Sequence, residues 1–138
     1  MKKTLWIHIG GIKTGTTTLQ RFLSRNREAL MQKGFLYPGT RVTHWGITEE
    51  LGVPRPGEPC LSKPPQLTAI LEEMNRFSGH SCIISAEDLA GTEGAAAALR
   101  RIIPQKYSVK VIYYVRRQDE LIESWYNQIV KSYLYQYP

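Results

Sequence analysis

The sequence predicts a single domain with an α/β fold built on a mostly parallel sheet. Short runs rich in β-branched and aromatic residues alternate with longer segments of helical periodicity, as in βαβ units. Glycines and prolines separate these segments. The 138 residues, 42% of them hydrophobic, suffice for one domain with a hydrophobic core and are too few for two ordinary domains. We therefore treat residues 1–138 as one domain.

The first part of the chain predicts a strand, a helix and a short second strand. Residues 4–9 (TLWIHI) are β-branched and aromatic and end at two glycines, which indicates a buried strand. Residues 14–32 carry apolar side chains at helical spacing, and Gly34 follows as a stop signal. Residues 35–37 predict a second strand, which Pro38 ends. The expected apolar stripe of the helix consists of Leu19, Phe22, Leu23 and Leu30.

Residues 40–65 predict a long irregular segment. Five of the eight prolines, at positions 54, 56, 59, 64 and 65, fall here beside several glycines. Long irregular loops in compact domains are usually functional or mobile.

The second half continues the alternation. Residues 109–115 (VKVIYYV) are the strongest strand pattern, and residues 81–85 (SCIIS) predict another. Helices are expected at residues 66–77 and 92–103, and an amphipathic helix at residues 118–134. The expected apolar face of that last helix consists of Ile122, Trp125, Tyr126, Ile129, Val130 and Tyr133. The order predicts right-handed crossovers between parallel strands.

The charge balance favours an anionic partner. Eighteen Lys and Arg against twelve Asp and Glu give a net charge of +6, which suits nucleotides, nucleic acid, sulfated glycans or an acidic membrane surface. Cys60 and Cys82 lack metal-ligand spacing and fit a reducing compartment. No run approaches the roughly 18 apolar residues of a membrane-spanning helix. The sequence predicts a soluble, cytoplasmic protein.

The first chemistry-bearing stretch lies between the first strand and the first helix and reads Gly10-Gly11-Ile12-Lys13-Thr14-Gly15-Thr16-Thr17. A helix N-terminus offers unpaired N–H groups and a positive dipole end to an anion. Glycines let the backbone approach phosphate oxygens, Lys13 adds positive charge, and threonine hydroxyls donate hydrogen bonds. The alternative, a tight turn with a capping threonine, requires neither the lysine nor three threonines. The order differs from a Walker A loop, in which lysine follows the last glycine.

The second stretch follows the strand at residues 109–115. Arg116 leaves the strand tip, and Ser124 lies eight residues further on, in the second turn of the next helix. A guanidinium and a hydroxyl placed in this way can converge on one phosphate group. The alternative is a basic strand end whose acidic neighbours, Asp119 and Glu120, balance the helix dipole.

Together the two stretches resemble the cytosolic and bacterial sulfotransferases that use 3′-phosphoadenosine 5′-phosphosulfate (PAPS). That family pairs a strand–K-x-G-T-T/S–helix loop with a later strand–R-x₇-S–helix element, here Lys13 to Thr17 and Arg116 to Ser124. The resemblance implies a P-loop-like, three-layer αβα fold and spans nearly the whole chain. It also implies an enzyme that transfers the sulfonate of PAPS to a hydroxyl or amine of a small molecule or glycan. By the same resemblance, the product adenosine 3′,5′-bisphosphate (PAP) is released, and no metal is implied.

The resemblance also assigns roles to residues. Lys13 would lie near the bridging oxygen of the 5′-phosphosulfate, and Arg116 and Ser124 would bind the 3′-phosphate. The family uses a His or Glu base, for which Glu87, directly after the strand at residues 81–85, and His44 are the candidates. The residues expected to bind the 5′-phosphosulfate are Gly11, Lys13, Thr14, Gly15, Thr16 and Thr17.

For both bases, and for a further candidate, Asp88, a structural role is the alternative. Ser85 or Asp88 can cap the segment that follows the strand, with Glu87 in solvent. A lone loop histidine such as His44 can be an ordinary surface residue.

Family members are longer than this chain and carry further strands and a basic, glycine-containing loop after the R-x₇-S helix. The fold is therefore expected to be incomplete at its C-terminus, and either truncated or completed by a partner or a second copy. Acceptor specificity is expected in residues 40–65 and in the missing half. Three other functions stay open: a catalytically inactive PAP-binding fragment, a P-loop-like kinase, and a small basic nucleic-acid-binding domain, for which no module is recognised.

Overall fold

The centre of the domain is a sheet of four parallel strands. The computed structural model describes residues 2–11, 13–53 and 66–136, the last three by backbone alone. The strands are β1 (Lys3–His8), β2 (Phe35–Leu36), β3 (Ser81–Ser85) and β4 (Tyr107–Ile112). Their order across the sheet is β2-β3-β1-β4, and every neighbouring pair is parallel. The predicted α/β class and parallel sheet are confirmed.

Six α-helices occur in the described residues. They are α1 (Thr16–Arg25), α2 (Arg27–Gln32), α3 (Ile47–Glu50), α4 (Leu67–Arg76), α5 (Ala95–Ile102) and α6 (Gln118–Gln136). A short 3₁₀ turn, Glu87–Leu89, follows β3. The one-turn helix α3 lies in the segment that the sequence predicts to be irregular, and residues 54–65 of that segment lie outside the described residues.

The sheet separates the helices into two layers. Leu5 and Ile7 of β1 and Ile84 of β3 pack in one core with apolar residues of α4 and α5. Ser85 points to the opposite face, because successive side chains alternate along a strand. There its hydroxyl lies 3.2 Å from the side-chain nitrogen of Gln20, in α1. The helices that follow β1 and β3 therefore lie on opposite faces.

This arrangement creates a crevice between two neighbouring strands. The carboxyl ends of β1 and β3 lie side by side, since the backbone N–H of Ala86 donates to the carbonyl of His8 at 3.0 Å. In open α/β sheets, ligands bind where adjacent strands lead to opposite faces. The loop after β1 and the 3₁₀ turn after β3 therefore flank the expected binding crevice.

The predicted helix at residues 14–32 is wrong in one respect, because it is broken at Asn26. The side-chain amide of Asn26 donates to the carbonyl of Phe22 at 2.7 Å, a local bond that competes with helix continuation. Phe22 itself is 58% exposed, so the predicted apolar stripe is also shifted. The residues that α1 buries are Thr16, Gln20 and Leu23.

The predicted strand at residues 109–115 is displaced, because β4 spans residues 107–112. In the described sheet β4 lies at the edge and pairs with β1 alone, so it can extend only as far as β1 does. Ile112 lies opposite His8, the last residue of β1. Residues 113–117 consequently leave the sheet and pass beside the loop after β1. There a Cβ on Gly11 would lie 2.9 Å from the carbonyl oxygen of Tyr114.

Most described side chains of the last helix, α6, are exposed on both its polar and its apolar face. Several polar residues of α6 line a cavity of about 790 Å³ together with Lys13 and Arg116. Five large apolar side chains of α6 are between 42% and 68% exposed. These exposed residues are Ile122, Trp125, Tyr126, Ile129 and Tyr133.

Candidate functional site

The loop between β1 and α1 has an unusual backbone. Among the described residues, Lys13 is the non-glycine residue with positive φ, at 67°. Gly10 and Gly15 on either side are also left-handed, at 43° and 84°. A left-handed backbone is unfavourable for a side chain such as lysine and clusters at binding and active sites. The loop therefore holds Lys13 in a conformation that ordinary turns avoid.

The loop is closed on itself and leads directly into a helix N-terminus. The Thr14 hydroxyl donates to the carbonyl of Gly11 at 2.6 Å, and the Thr14 backbone N–H donates to it at 3.3 Å. Thr14 therefore supports the turn with its hydroxyl. Gly15 caps α1 without a side-chain hydrogen bond among the described residues. The first N–H groups of α1 thus have no capping side chain and are available to an anion.

Arg116 connects the second motif to this loop. Its Nη1 donates to the carbonyl oxygen of Lys13 at 2.9 Å, although 103 positions separate the two residues. Its Nε donates to Glu120 at 3.2 Å, one turn into α6. The two stretches that the sequence singles out are therefore in direct contact.

One cavity of about 440 Å³ gathers most of the predicted site residues. Its wall includes the loop and the first turn of α1, Glu87 from the turn after β3, Arg116 from the β4–α6 connection, and α6. This volume is within the range of small-molecule sites. The lining residues are Lys13, Gly15, Thr16, Thr17, Glu87, Arg116, Ser124 and Gln128. Gly11 and Thr14 line a neighbouring cavity of about 320 Å³ with Tyr113, Tyr114 and Trp125.

Glu87 lies at the opening of the crevice and is hydrogen-bonded to a side chain of α1. Its Oε1 accepts a hydrogen bond from Gln20 Nε2 at 3.3 Å. Glu87 is half-buried, and it shares the cavity wall with Lys13 and the threonines that begin α1. A carboxylate in this position can accept a proton from a group that enters the cavity.

His44, the other candidate base, is placed as a structural residue. It is 1% exposed, its Nε2 donates to the carbonyl of Pro38 at 2.8 Å, and its Nδ1 accepts the Ser85 backbone N–H at 3.0 Å. Burial lowers the pKa of His44, although its hydrogen bond to the Pro38 carbonyl opposes this shift. Both ring nitrogens are therefore engaged with the backbone, and neither is open to an incoming acceptor. His44 instead fixes the segment before α3 to the end of β3.

Asp88 is likewise engaged in the fold. Its Oδ2 accepts hydrogen bonds from the N–H of Gly46, the N–H of Thr48 and the Thr48 hydroxyl, at 3.0–3.1 Å. It is 1% exposed. Asp88 thus stabilises the start of α3, about 40 positions away in the sequence, and does not cap the segment after its own strand.

Sequence reasoning missed Gln20 and Gln128, which contact or line the site. Gln20 could have been found, because it lies four residues after Thr16 and three before Leu23 and so interrupts the buried face of α1 with a polar side chain. Gln128 follows Ser124 by one turn of α6 and had no separate signal.

Comparisons with known proteins add no family or relative to the geometry described above. No protein-family model, curated protein or solved structure matches this chain. The described residues contain no cluster of three histidine, cysteine, aspartate or glutamate side chains that could hold a metal ion. Within the same residues, no helix has the length and apolar character needed to cross a membrane.

Proposed function

We propose that this chain is the nucleotide-binding domain of a PAPS-dependent sulfotransferase, with a P-loop-like arrangement around β1. The observation that carries the proposal is the shared cavity of about 440 Å³. Lys13, Glu87 and Arg116 come from three distant parts of the chain and meet there, together with Ser124. Lys13 and Arg116 supply the positive charge that binds a highly charged nucleotide, and Glu87 supplies a carboxylate that can accept a proton.

The loop suits the 5′-phosphosulfate. Its anionic oxygens would accept hydrogen bonds from the first N–H groups of α1 and from the hydroxyls of Thr16 and Thr17. Lys13 would neutralise the charge that develops on the bridging oxygen as the leaving group departs. The left-handed backbone of Lys13 supports this role, since strain of this kind is tolerated where a ligand is held.

Arg116 and Ser124 suit the 3′-phosphate. The Arg116 guanidinium is anchored to the Lys13 carbonyl through one nitrogen, and Ser124 lines the same cavity from α6. A guanidinium fixed by the loop would bind its phosphate at a defined distance from the 5′ group. This arrangement favours a nucleotide with two separate anionic groups over one with a single phosphate chain.

The proposed reaction is an in-line transfer of the sulfonate. The acceptor hydroxyl or amine forms a bond to sulfur while the bond from sulfur to the bridging phosphate oxygen breaks. The bonding electron pair leaves with that oxygen on PAP, and the acceptor proton passes to the Glu87 carboxylate. Such transfers depend mainly on positioning and charge stabilisation, as phosphoryl transfer does.

Thermal unfolding with PAP tests the nucleotide site. A ligand at about 100 times its Kd stabilises the folded state by about 2.7 kcal/mol, which for a domain of this size raises the Tm by about 10 °C. We expect this shift with PAP and not with ATP at the same concentration. Lys13→Ala and Arg116→Ala should each abolish most of it.

Two cations that do not line the cavity provide matched controls. Arg117 is paired with Asp119 and does not line the cavity, so Arg117→Ala should keep the PAP shift. Lys33 is exposed at the end of α2, so Lys33→Ala should do the same. Equal shifts with PAP and ATP, or a PAP shift that survives Lys13→Ala, would contradict the proposal. Release of PAP from PAPS in the presence of hydroxyl and amine acceptors then tests turnover separately.

A further inference from the structure

Behind the cavity, three buried polar side chains form a continuous row of hydrogen bonds. Ser85 ends β3, His8 ends β1 and Gln20 lies in α1, and these residues are 0%, 1% and 4% exposed. Ser85 Oγ lies 2.8 Å from His8 Nδ1 and 3.2 Å from Gln20 Nε2. Gln20 Nε2 also lies 3.3 Å from Glu87 Oε1. The row therefore ends on the carboxylate that lines the cavity.

Hydrogen-bonding capacity sets the direction of this row at Gln20, whose Nε2 donates to Ser85 Oγ and to Glu87 Oε1. The Glu87 Oε1 accepts from Gln20, so the part of the Gln20 amide that faces it is the NH₂ group. One of its hydrogens serves Glu87 and the other serves Ser85 Oγ. The Ser85 hydroxyl lies 2.8 Å from His8 Nδ1, and the tautomer of the imidazole decides which of the two groups donates. Burial lowers the pKa of His8, although the nearby Glu87 opposes the shift, so the neutral form is consistent with the network.

This corner is polar where helix and sheet would ordinarily pack with apolar side chains. A buried polar group without a partner costs about 1–3 kcal/mol, and His8 Nε2 has no hydrogen-bond partner among the described residues. Gly10 lies between the two ends of the row, since a Cβ there would be 3.2 Å from His8 Cε1 and 3.4 Å from Glu87 Cγ. An apolar side chain at position 20 would fill the interface between α1 and the sheet without needing hydrogen-bond partners. It could not, however, donate a hydrogen bond to Glu87.

We propose that Gln20 is a positioning residue for Glu87, and this inference rests on the proposed role of Glu87 as the base. Gln20 lies one turn after Thr16, in the helix whose N-terminus would bind the 5′-phosphosulfate. The same rigid helix would therefore set both the place of the sulfonate and the direction of the carboxylate. Ser85 and His8 hold the Gln20 amide in the orientation that this requires.

The contact itself is tested by the NMR signal of the Gln20 side-chain amide in isotope-labelled protein. Gln20→Leu identifies the signal by its loss. Glu87→Gln removes the carboxylate that accepts from it, so the Gln20 signal should move clearly, whereas the matched exposed change Glu28→Gln, in α2, should leave it in place. A Gln20 signal that Glu87→Gln does not move would overturn the proposal, whatever the protein binds.

The functional consequence is tested by a double-mutant cycle on PAP release from PAPS, with water and with hydroxyl and amine acceptors. Glu87→Gln should lower kcat about 100-fold or more. Gln20→Leu should lower kcat about tenfold while the KM for PAPS changes less than about threefold. The double variant should be no slower than Glu87→Gln alone, because Gln20 acts through Glu87. Gln32→Leu, an exposed change in α2, should have no effect.

The outcomes separate this inference from the proposed function. If the wild-type protein shows no PAP-specific stabilisation, the proposed function fails, and the amide signal still decides whether Gln20 holds Glu87. If PAP binds and the losses in the cycle are additive, Gln20 acts independently and the positioning role is wrong. A raised KM for PAPS with unchanged kcat would also overturn it, because Gln20 would then shape the nucleotide loop. If PAP binds but wild-type protein releases none from PAPS, both Glu87 as base and Gln20 as its positioning residue fail.

Discussion

Replacing Lys13 by glycine should leave the free protein more stable than replacing it by alanine, while either change destroys nucleotide binding. Lys13 has a φ of 67°, in the left-handed region. That conformation costs a residue with a Cβ roughly 1–2 kcal/mol, whereas glycine adopts it freely but loses about 0.5–1 kcal/mol more backbone entropy on folding. The difference leaves Lys13→Gly more stable than Lys13→Ala by about 0.5–1 kcal/mol. For a domain of this size, that corresponds to a Tm about 2–4 °C higher.

The comparison between the two variants isolates the backbone, because both remove the same charge and the same long side chain. Thermal unfolding without ligand measures the strain, and unfolding with PAP measures the loss of the site. We expect Lys13→Gly to melt above Lys13→Ala, and both to lose the PAP-dependent shift. Equal Tm values for the two variants would refute the strain at Lys13. A full PAP shift in either variant would refute the role of its ammonium group.

Three further predictions concern the surroundings of the site. Burial lowers the pKa of His8 and of His44 below the ordinary 6.5, so the unfolded chain binds protons at a higher pH than the folded protein does. The free energy of unfolding should therefore fall as the pH drops below about 6.5, by up to about 1.4 kcal/mol per pH unit for each histidine. Urea unfolding between about pH 7 and pH 5 measures this change, and greater stability in acid would contradict it. Asp88→Ala removes the acceptor of two backbone N–H groups and a hydroxyl, so urea unfolding should show a loss of about 3 kcal/mol, against less than about 0.5 kcal/mol for the exposed Asp119→Ala. Gly10→Ala would place a Cβ 2.4 Å from a methyl group of the first helical turn, so it should lower the Tm and weaken PAP binding together; normal PAP affinity would show that the loop tolerates the shift.

The local patterns predicted most of the elements and the loops that carry the site. The strand at residues 81–85 has the predicted bounds, because a compact β-branched run between turn residues needs no distant information. The stretch from Gly10 to Thr17 lies between a strand and a helix as expected. Its glycines and threonines reflect a local backbone requirement, which can be recognised from the sequence alone.

Contacts between distant residues explain what the local patterns could not show. The end of β4 at Ile112 depends on where β1 ends, and no feature of residues 113–115 reveals that. His44 looked like a loop histidine because its two hydrogen-bond partners are carried by Pro38 and by Ser85, which lies 41 positions away. Asp88 stabilises α3 in the same long-range manner.

The amino-acid sequence alone was enough to predict the α/β alternation, the net charge, and which residue types could bind phosphate and accept a proton. It could do so because periodicity, glycine placement and side-chain chemistry are properties of neighbouring residues. The folded chain was needed to show that Glu87 shares a cavity with Lys13, that His44 does not line this cavity, and that Gln20 donates a hydrogen bond to Glu87. These residues come together because the helices that follow the neighbouring strands β1 and β3 lie on opposite faces of the sheet, and the packing of the whole sheet sets that arrangement.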